Sequence, residues 1–224
     1  MVMEFETLEQ EAAVRNDGGA KRRQIMDGAR SVFLSAGFDG ASMNDVARAA
    51  GVSKGTLYAY FDSKQDLFEA IIRAEKAQSA ERVCRFSHDN GDVRTVLTDF
   101  GVRLLELMTE PGTLKLARVV VAAADKFPSV GRTFYEAGPF YGATRLSDEL
   151  RALEKRGALH VPDPERAAWQ FVDLCQSYVY KRLLFGVVDS VSRADIEAAV
   201  KAGVDVFLKA YGTEGSPFIQ FRAP

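Results

Sequence analysis

The chain has 224 residues, 47% of them hydrophobic and 27% charged, and 29 Lys and Arg against 31 Asp and Glu leave a net charge of −2. A chain of this length buries a sizeable core without disulfides or metals, and a near-neutral total excludes a uniformly basic nucleic-acid binder. No apolar run approaches the roughly 20 residues that span a bilayer, and residues 1–19 lack the apolar stretch of a signal peptide, so a cytoplasmic protein without a membrane partner is expected.

Residues 1–19 read as a mobile acidic leader that ends in the breaker cluster Asn16, Asp17, Gly18, Gly19. From residue 20 the pattern is helical almost to the end. Ile25, Ala29, Val32, Phe33 and Ala36 recur at helical spacing, and Gly37 is placed as a C-terminal stop. Short helices are predicted over 43–50 and 54–60, opened by Ser42 and Ser53 and separated by Gly51. A fourth follows Ser63 and runs to about residue 86. Ser42 and Ser63 each have an acid three residues on, Asp45 and Asp66, the spacing of an N-terminal cap.

Beyond a connection, Val93, Val96, Leu97, Phe100, Leu104, Leu105 and Met108 follow the helical period up to Pro111-Gly112. A more apolar helix spans about 113–125. A long segment reaches about residue 156, bent near Gly138-Pro139. Asp163-Pro164 starts a helix expected to reach residue 185, and Ser192 opens a last one to about residue 211. Strand alternation is missing from the pattern. The expected fold is all-α with about nine helices: a head over 20–66, a larger domain over 67–211 whose residues 67–86 form a connecting helix, and a tail over 212–224.

Cys84 and Cys175 stand apart, as do the two histidines, His88 and His160. That gives no pattern for a disulfide, a metal ion or a catalytic set, and no cofactor is expected.

The informative stretch is 42–64. Ala47 is small enough for a close helix crossing, and Gly51 tolerates the positive φ of a tight turn between helices. Val46, Val52 and Leu57 supply an apolar seam. Lys54, Gly55, Thr56, Tyr58 and Tyr60 remain on the N-terminal half of the second helix, the half that enters the major groove in a helix-turn-helix. Two ordinary packed helices with half-buried tyrosines fit the same pattern. The charge distribution favours DNA: residues 20–64 hold seven Lys and Arg against four Asp, net +3, whereas residues 1–19 are net −4.

Ala36-Gly37-Phe38, Val46-Ala47, the run from Ala50 to Tyr58 and the run from Tyr60 to Leu67 together resemble the DNA-binding head of the TetR family of transcriptional regulators. The likeness covers about 50 residues. It implies that Ser42 binds phosphate, that Ser53, Lys54, Gly55, Thr56 and Tyr58 meet bases or phosphates, and that Tyr60 and Lys64 hold phosphates. Arg22 and Arg23, ahead of the motif, are either phosphate contacts or solvated charges. Residues 131–139 and 159–164 resemble the AefR-like subgroup of C-terminal domains.

That resemblance implies an effector cavity and a two-fold dimer in the larger domain. Phe100, Leu104, Met108, Val120, Phe127, Phe134, Tyr135, Tyr141, Trp169 and Tyr178 are the candidate cavity residues, with plain core packing as the alternative for each. An apolar or aromatic small molecule is the expected effector. The last two helices are apolar over a wide arc, which calls for a second packing partner. Phe171, Leu174, Cys175, Val179, Val204, Phe207 and Leu208 are therefore the candidate dimer contacts. The implied function is a homodimeric repressor, released by its ligand from a palindromic operator. An activator or a ligand-independent DNA-binding protein would share the same head; an all-α enzyme is the remaining alternative.

Overall fold

The computed structural model describes residues 2–86 and 92–213, with side chains described from Gly18 onward. His88 and residues 214–224 of the expected tail lie outside the described residues. The elements in order are α1 (Val2–Gly40), α2 (Met43–Ala49), α3 (Lys54–Tyr60), α4 (Lys64–Val83), α5 (Val93–Thr109), α6 (Pro111–Ala124), α7 (Pro128–Tyr135), a π-helical turn (Glu136–Phe140), α8 (Tyr141–Lys155), α9 (Pro164–Gln176), α10 (Val179–Leu184) and α11 (Arg193–Tyr211). An isolated bridge pairs Leu159 with Gly212.

Three differences from expectation concern boundaries. α1 begins at Val2, so the helix runs through the segment expected as a leader, and it is interrupted at Gly37 by φ 74° and ψ 172°. The predicted bend at Gly138-Pro139 takes the form of a π-helical turn, with Pro139 inside it. The segment expected as one helix over 164–185 divides at Ser177, whose φ of −22° and ψ of −72° leave the helical region. Divisions of this kind account for more helical segments than the nine expected.

The chain forms two compact units. One holds the chain up to Ala74 together with Val119–Thr133, and the other holds Glu75–Arg118 and the chain from Phe134 onward. The first is therefore more than the contiguous stretch 20–66: a later segment returns to it.

In this first unit Ile25, Ala29 and Phe33 of α1 are buried, as are Val46, Leu57, Leu67 and Phe68. Phe33, Phe38 and Phe68 cluster with ring centroids 4.6 to 5.8 Å apart, and Phe127 from the returning segment stands edge-on to Phe38 at 4.7 Å. The contact between α1 and α2 is the tightest feature. A Cβ placed on Gly28 would lie 2.6 Å from Ala50 Cα and 2.7 Å from Ala50 N, so no side chain fits there. Gln24 Nε2 donates to the Ala50 carbonyl at 2.7 Å and pins the same point.

α4 is tied to α7 through Glu69. Ser129 Oγ donates to Glu69 Oε1 at 2.5 Å, Thr133 Oγ1 to Oε2 at 3.3 Å, and the Arg73 guanidinium lies 2.9 Å from Oε2. Burial opposes ionisation of Glu69, but the hydrogen bonds from Ser129, Gln65 and Arg73 outweigh it and hold its carboxyl below the ordinary value.

In the second unit α5, α8, α9 and α11 enclose a core that includes Leu97, Phe100, Leu146, Leu150, Phe171 and Phe207. Two glycines let its helices meet. A Cβ on Gly101 would lie 2.7 Å from Val200 Cγ1, and one on Gly203 3.0 Å from the Cys175 backbone nitrogen. Arg103 donates to the carbonyls of Val83 and Arg85, which closes the C-terminal end of α4. Arg118 does the same for α10 through Leu183 and Leu184.

Two outcomes follow from this packing. Gly28→Ala is expected to destabilise the protein by about 1–3 kcal/mol in thermal unfolding, because the atoms it meets are backbone and cannot step aside. Glu69, with a folded pKa below the ordinary 4.5 of a glutamate, contributes stability that is present above about pH 4.5 and is lost as pH falls through the lower folded value. Glu69→Gln should cost about 1–3 kcal/mol at pH 7, and its acid unfolding curve should lose the part of the pH dependence that wild type shows below pH 4.5.

Candidate nucleic-acid interface and effector cavity

Each helix of the motif is capped from its own sequence. The Asp45 backbone N–H donates to Ser42 Oγ at 3.2 Å, and that hydroxyl donates to Asp45 Oδ2 at 2.5 Å. The Ser42 bond, assisted by Arg48, holds the Asp45 carboxyl below its ordinary value. The Thr56 N–H donates to Ser53 Oγ at 3.0 Å at the start of α3, and the Asp66 N–H donates to Ser63 Oγ at 3.0 Å at the start of α4. Between α2 and α3, Gly51 takes φ 64°, and Val52 N–H donates to the Ala47 carbonyl at 3.0 Å. Leu57 is fully buried, which fixes the rotation of α3 about its axis.

That rotation leaves Ser53, Lys54, Gly55, Tyr58 and Ala59 exposed, with Thr56 and Tyr60 half-buried. Lys54 Nζ lies 6.0 Å above the Tyr58 ring. A Cβ on Gly55 would meet nothing nearer than Ser53 Oγ at 3.8 Å, so the chain itself gives no packing reason for a glycine there. Arg22 and Arg23 are exposed on α1, and the Arg22 guanidinium lies 4.8 Å over the Phe61 ring. Ser42, at the start of α2, is also exposed.

Lys64 is placed differently from expectation. Its ammonium donates to the carbonyls of Phe38 at 2.7 Å, Ala41 at 3.0 Å and Asp39 at 3.4 Å, and it lies 4.6 Å over the Phe38 ring. Three donors are spent on the carbonyls that follow Gly37, leaving none for phosphate in this arrangement. Lys64 holds the end of α1 to the start of α4.

The second unit contains a cavity of about 260 Å³. Of the ten residues expected to line it, Phe100, Leu104, Met108, Phe134, Tyr141 and Trp169 do so. Val120 and Phe127 do not: both belong to the other unit, where Val120 is buried and Phe127 packs on Phe38. Tyr135 and Tyr178 are exposed and outside the lining, Tyr135 stacked parallel to Trp169 with centroids 5.9 Å apart. Sequence reading missed Lys76, Gln176 and Tyr180 in the wall. Lys76 had a signal: with Ser79, Ala80 and Val83 it falls on one helical face of α4.

The expected dimer contacts are corrected more broadly. Phe171, Val204 and Phe207 are fully buried within a single chain, Cys175, Val179 and Leu208 are 1% exposed, and Leu174 is partly buried against the same core. The partner of the six buried residues is the protomer itself, through α5, α8, α9 and α11, while Leu174 keeps part of its surface exposed. Burial pushes the Cys175 thiol up to about 12.

Among the described residues no group of three or more His, Cys, Asp or Glu is placed to hold a metal ion, and no helix is long and apolar enough to cross a membrane.

A capped helix-turn-helix at the N-terminus and a helical domain with its own cavity define a class of two-part bacterial regulators. Residues 25–71 match the family model described as bacterial regulatory proteins, tetR family, and residues 95–213 match that of the AefR-like transcriptional repressor C-terminal domain. The chain belongs to the TetR family. A TetR-family transcriptional regulator from Mesorhizobium loti superposes with a TM-score of 0.81 at 28% identity, covering 87% of this chain and 98% of that one. The flavonoid-responsive regulator FrrA gives 0.78 at 32% identity, over 88% of this chain and 100% of that one. The repressor AcnR of Corynebacterium glutamicum is 37% identical over 62 residues, 28% of this chain and 33% of that protein. The chain thus spans about a third of the length of the curated relatives it matches.

Because Trp169 is the sole tryptophan and lines the cavity, an uncharged naphthalene derivative that enters is expected to quench its emission. Ala80→Phe, which puts a ring into the same space, should abolish that quenching while leaving the unliganded spectrum in place.

Proposed function

We propose that the protein is a cytoplasmic transcriptional repressor, not an enzyme, that binds a palindromic operator as a homodimer and leaves it when a small apolar or aromatic molecule fills the cavity. The observation that carries this reading is the exposed N-terminal half of α3. A serine cap, a lysine, a glycine with open space around it and a tyrosine stand together on a helix fixed from behind by Leu57. Such an end offers free backbone N–H groups to phosphate and side chains to base edges. In this reading Gly55 is a glycine because DNA, rather than the chain, approaches it. Ser42, Thr56, Tyr60, Arg22 and Arg23 would supply further backbone contacts.

An aromatic effector is supported by the ring-lined cavity, and FrrA, named for its response to flavonoids, gives a precedent within the fold. α4 contributes to both units, with Leu67, Phe68 and Ile72 in the first and Lys76, Ala80 and Val83 in the cavity wall. A ligand acting on α4 shifts operator binding only so far as it prefers one position of the helix over another. Since the buried residues of α9 and α11 are spent inside the protomer, the dimer would form through what those helices leave exposed, such as Tyr178 and Val206.

Gel shifts on operator DNA selected from random sequence test the reading, repeated over a range of salt. Wild type should bind with a Kd on the order of 10 nM. Lys54→Ala should weaken binding and flatten the salt slope by about one unit. Lys64→Ala should leave that slope alone and lower the melting temperature instead, because it strips donors from three carbonyls. Gly55→Ala should stabilise α3 by about 1 kcal/mol and yet weaken operator binding. Failure to select any operator, or an effector that saturates the cavity without changing operator affinity, would refute the reading.

A further inference from the structure

The cavity wall contains one feature that an apolar ligand does not explain. Lys76 lies on the α4 face that lines the cavity, and no carboxylate is among the lining residues. Its Nζ sits 4.0 Å from the centroid of the Phe134 ring, and its ammonium meets no hydrogen-bond acceptor among the described residues. The site is shaped around it. A Cβ on Gly138, in the π-helical turn, would lie 3.0 to 3.4 Å from the Cδ, Cε and Nζ of Lys76, so the turn passes close to the amine because residue 138 is a glycine. Burial pushes the pKa of Lys76 down to about 8, with Glu75 next along the helix opposing the fall, so the group remains mostly cationic at neutral pH.

Desolvating an ammonium without giving it an acceptor is costly, and the face of one ring offsets only part of that cost. The remaining walls are aromatic and aliphatic: Phe100, Phe134, Tyr141 and Trp169 supply rings, and Leu104 and Met108 fill between them. About 150 Å³ accommodates benzene, so the 260 Å³ here accommodates one to two fused rings. We infer that the effector is an aromatic monocarboxylate of one to two rings, whose carboxylate pairs with the Lys76 ammonium while its rings lie among the aromatic walls. One cation with no carboxylate beside it in the wall selects a single negative charge, and the absence of a second cation among the lining residues disfavours a dianion. This inference rests on the cavity being the effector site of a ligand-released repressor.

The test uses the full chain and a matched pair of probes, 2-naphthoate and 2-naphthamide, which share their rings and differ in charge. Binding is read by calorimetry without DNA, so that it is separate from operator release. Wild type should bind the carboxylate about tenfold or more tightly than the amide, the scale of one charge-assisted hydrogen bond in a partly dry site. Lys76→Met should bind the two alike, and its retained affinity for the amide shows that the cavity survives. Lys76→Gln repeats the measurement if the methionine closes the cavity. Equal affinities in wild type, no binding of either probe to wild type, or a preference that survives both substitutions would overturn the inference. A wild type that prefers 2-naphthoate but keeps its operator DNA would uphold the carboxylate preference of the cavity and overturn ligand release, and with it the ligand's role as effector.

Discussion

Residue 28 of α1 faces the backbone of Ala50 at a distance that leaves no room for a side chain. Ala50 is the last residue before the Gly51 turn, so the place where α1 touches α2 is also the place where the chain reverses into α3. Gln24 donates to the carbonyl of that same residue. The position of α3 is therefore set from α1 by one close contact and one hydrogen bond, while its rotation is set by Leu57. A helix of seven residues has little stability of its own and takes its orientation from these neighbours. Side chains on its exposed face can then be aimed without contributing to the fold, which leaves Lys54, Gly55 and Tyr58 open to serve recognition.

Lys64 extends the same logic to α4. It is the first residue of that helix and donates to the carbonyls that follow the interruption at Gly37. A displacement of the start of α4 would pull on the end of α1, and Glu69, five residues on, binds α4 to Ser129 and Thr133 of α7. The charge on Lys64 is thus more useful as a clamp between elements than as another phosphate contact. This also limits the basic face: of the cations in the head, Arg22, Arg23, Arg48 and Lys54 remain exposed, Arg48 paired with Asp45, whereas Lys64 is turned inward.

Features written within four residues of each other were legible in the sequence. The caps Ser42, Ser53, Ser63, Asp163 and Ser192 all accept the backbone N–H three residues on, because capping is a local exchange of donor and acceptor. The turn at Gly51 and the irregularity at Gly138-Pro139 were legible for the same reason. What failed depends on which faces meet. Phe171, Val204 and Phe207 announce an apolar arc wide enough for a second partner, and periodicity does not say whether that partner is another copy or another part of the same chain. Gly101 and Gly203, the residues that admit α9, α11 and α5 to one another, are indistinguishable in the sequence from any helical glycine. Phe127 has the composition of a cavity residue and the location of a core residue in the other unit.

Lys76 was missed for a different reason. Ionic character in a binding site is marked in a sequence by clusters of charge, and one lysine on a largely polar helix reads as a solvated charge. Its meaning comes from its surroundings: the same ammonium in water interacts weakly with an anion, while at a partly dry, ring-lined wall the interaction strengthens severalfold as the effective dielectric falls. The unliganded protein bears the cost of holding that charge away from water. A ligand that supplies the missing anion relieves this cost only in a state where Lys76 remains at the cavity wall, and so favours that state over any in which α4 carries the ammonium back to solvent. Differential affinity between two positions of one helix is what a ligand needs in order to shift an equilibrium. A single half-buried cation on the helix shared by both units would provide a physical origin for it.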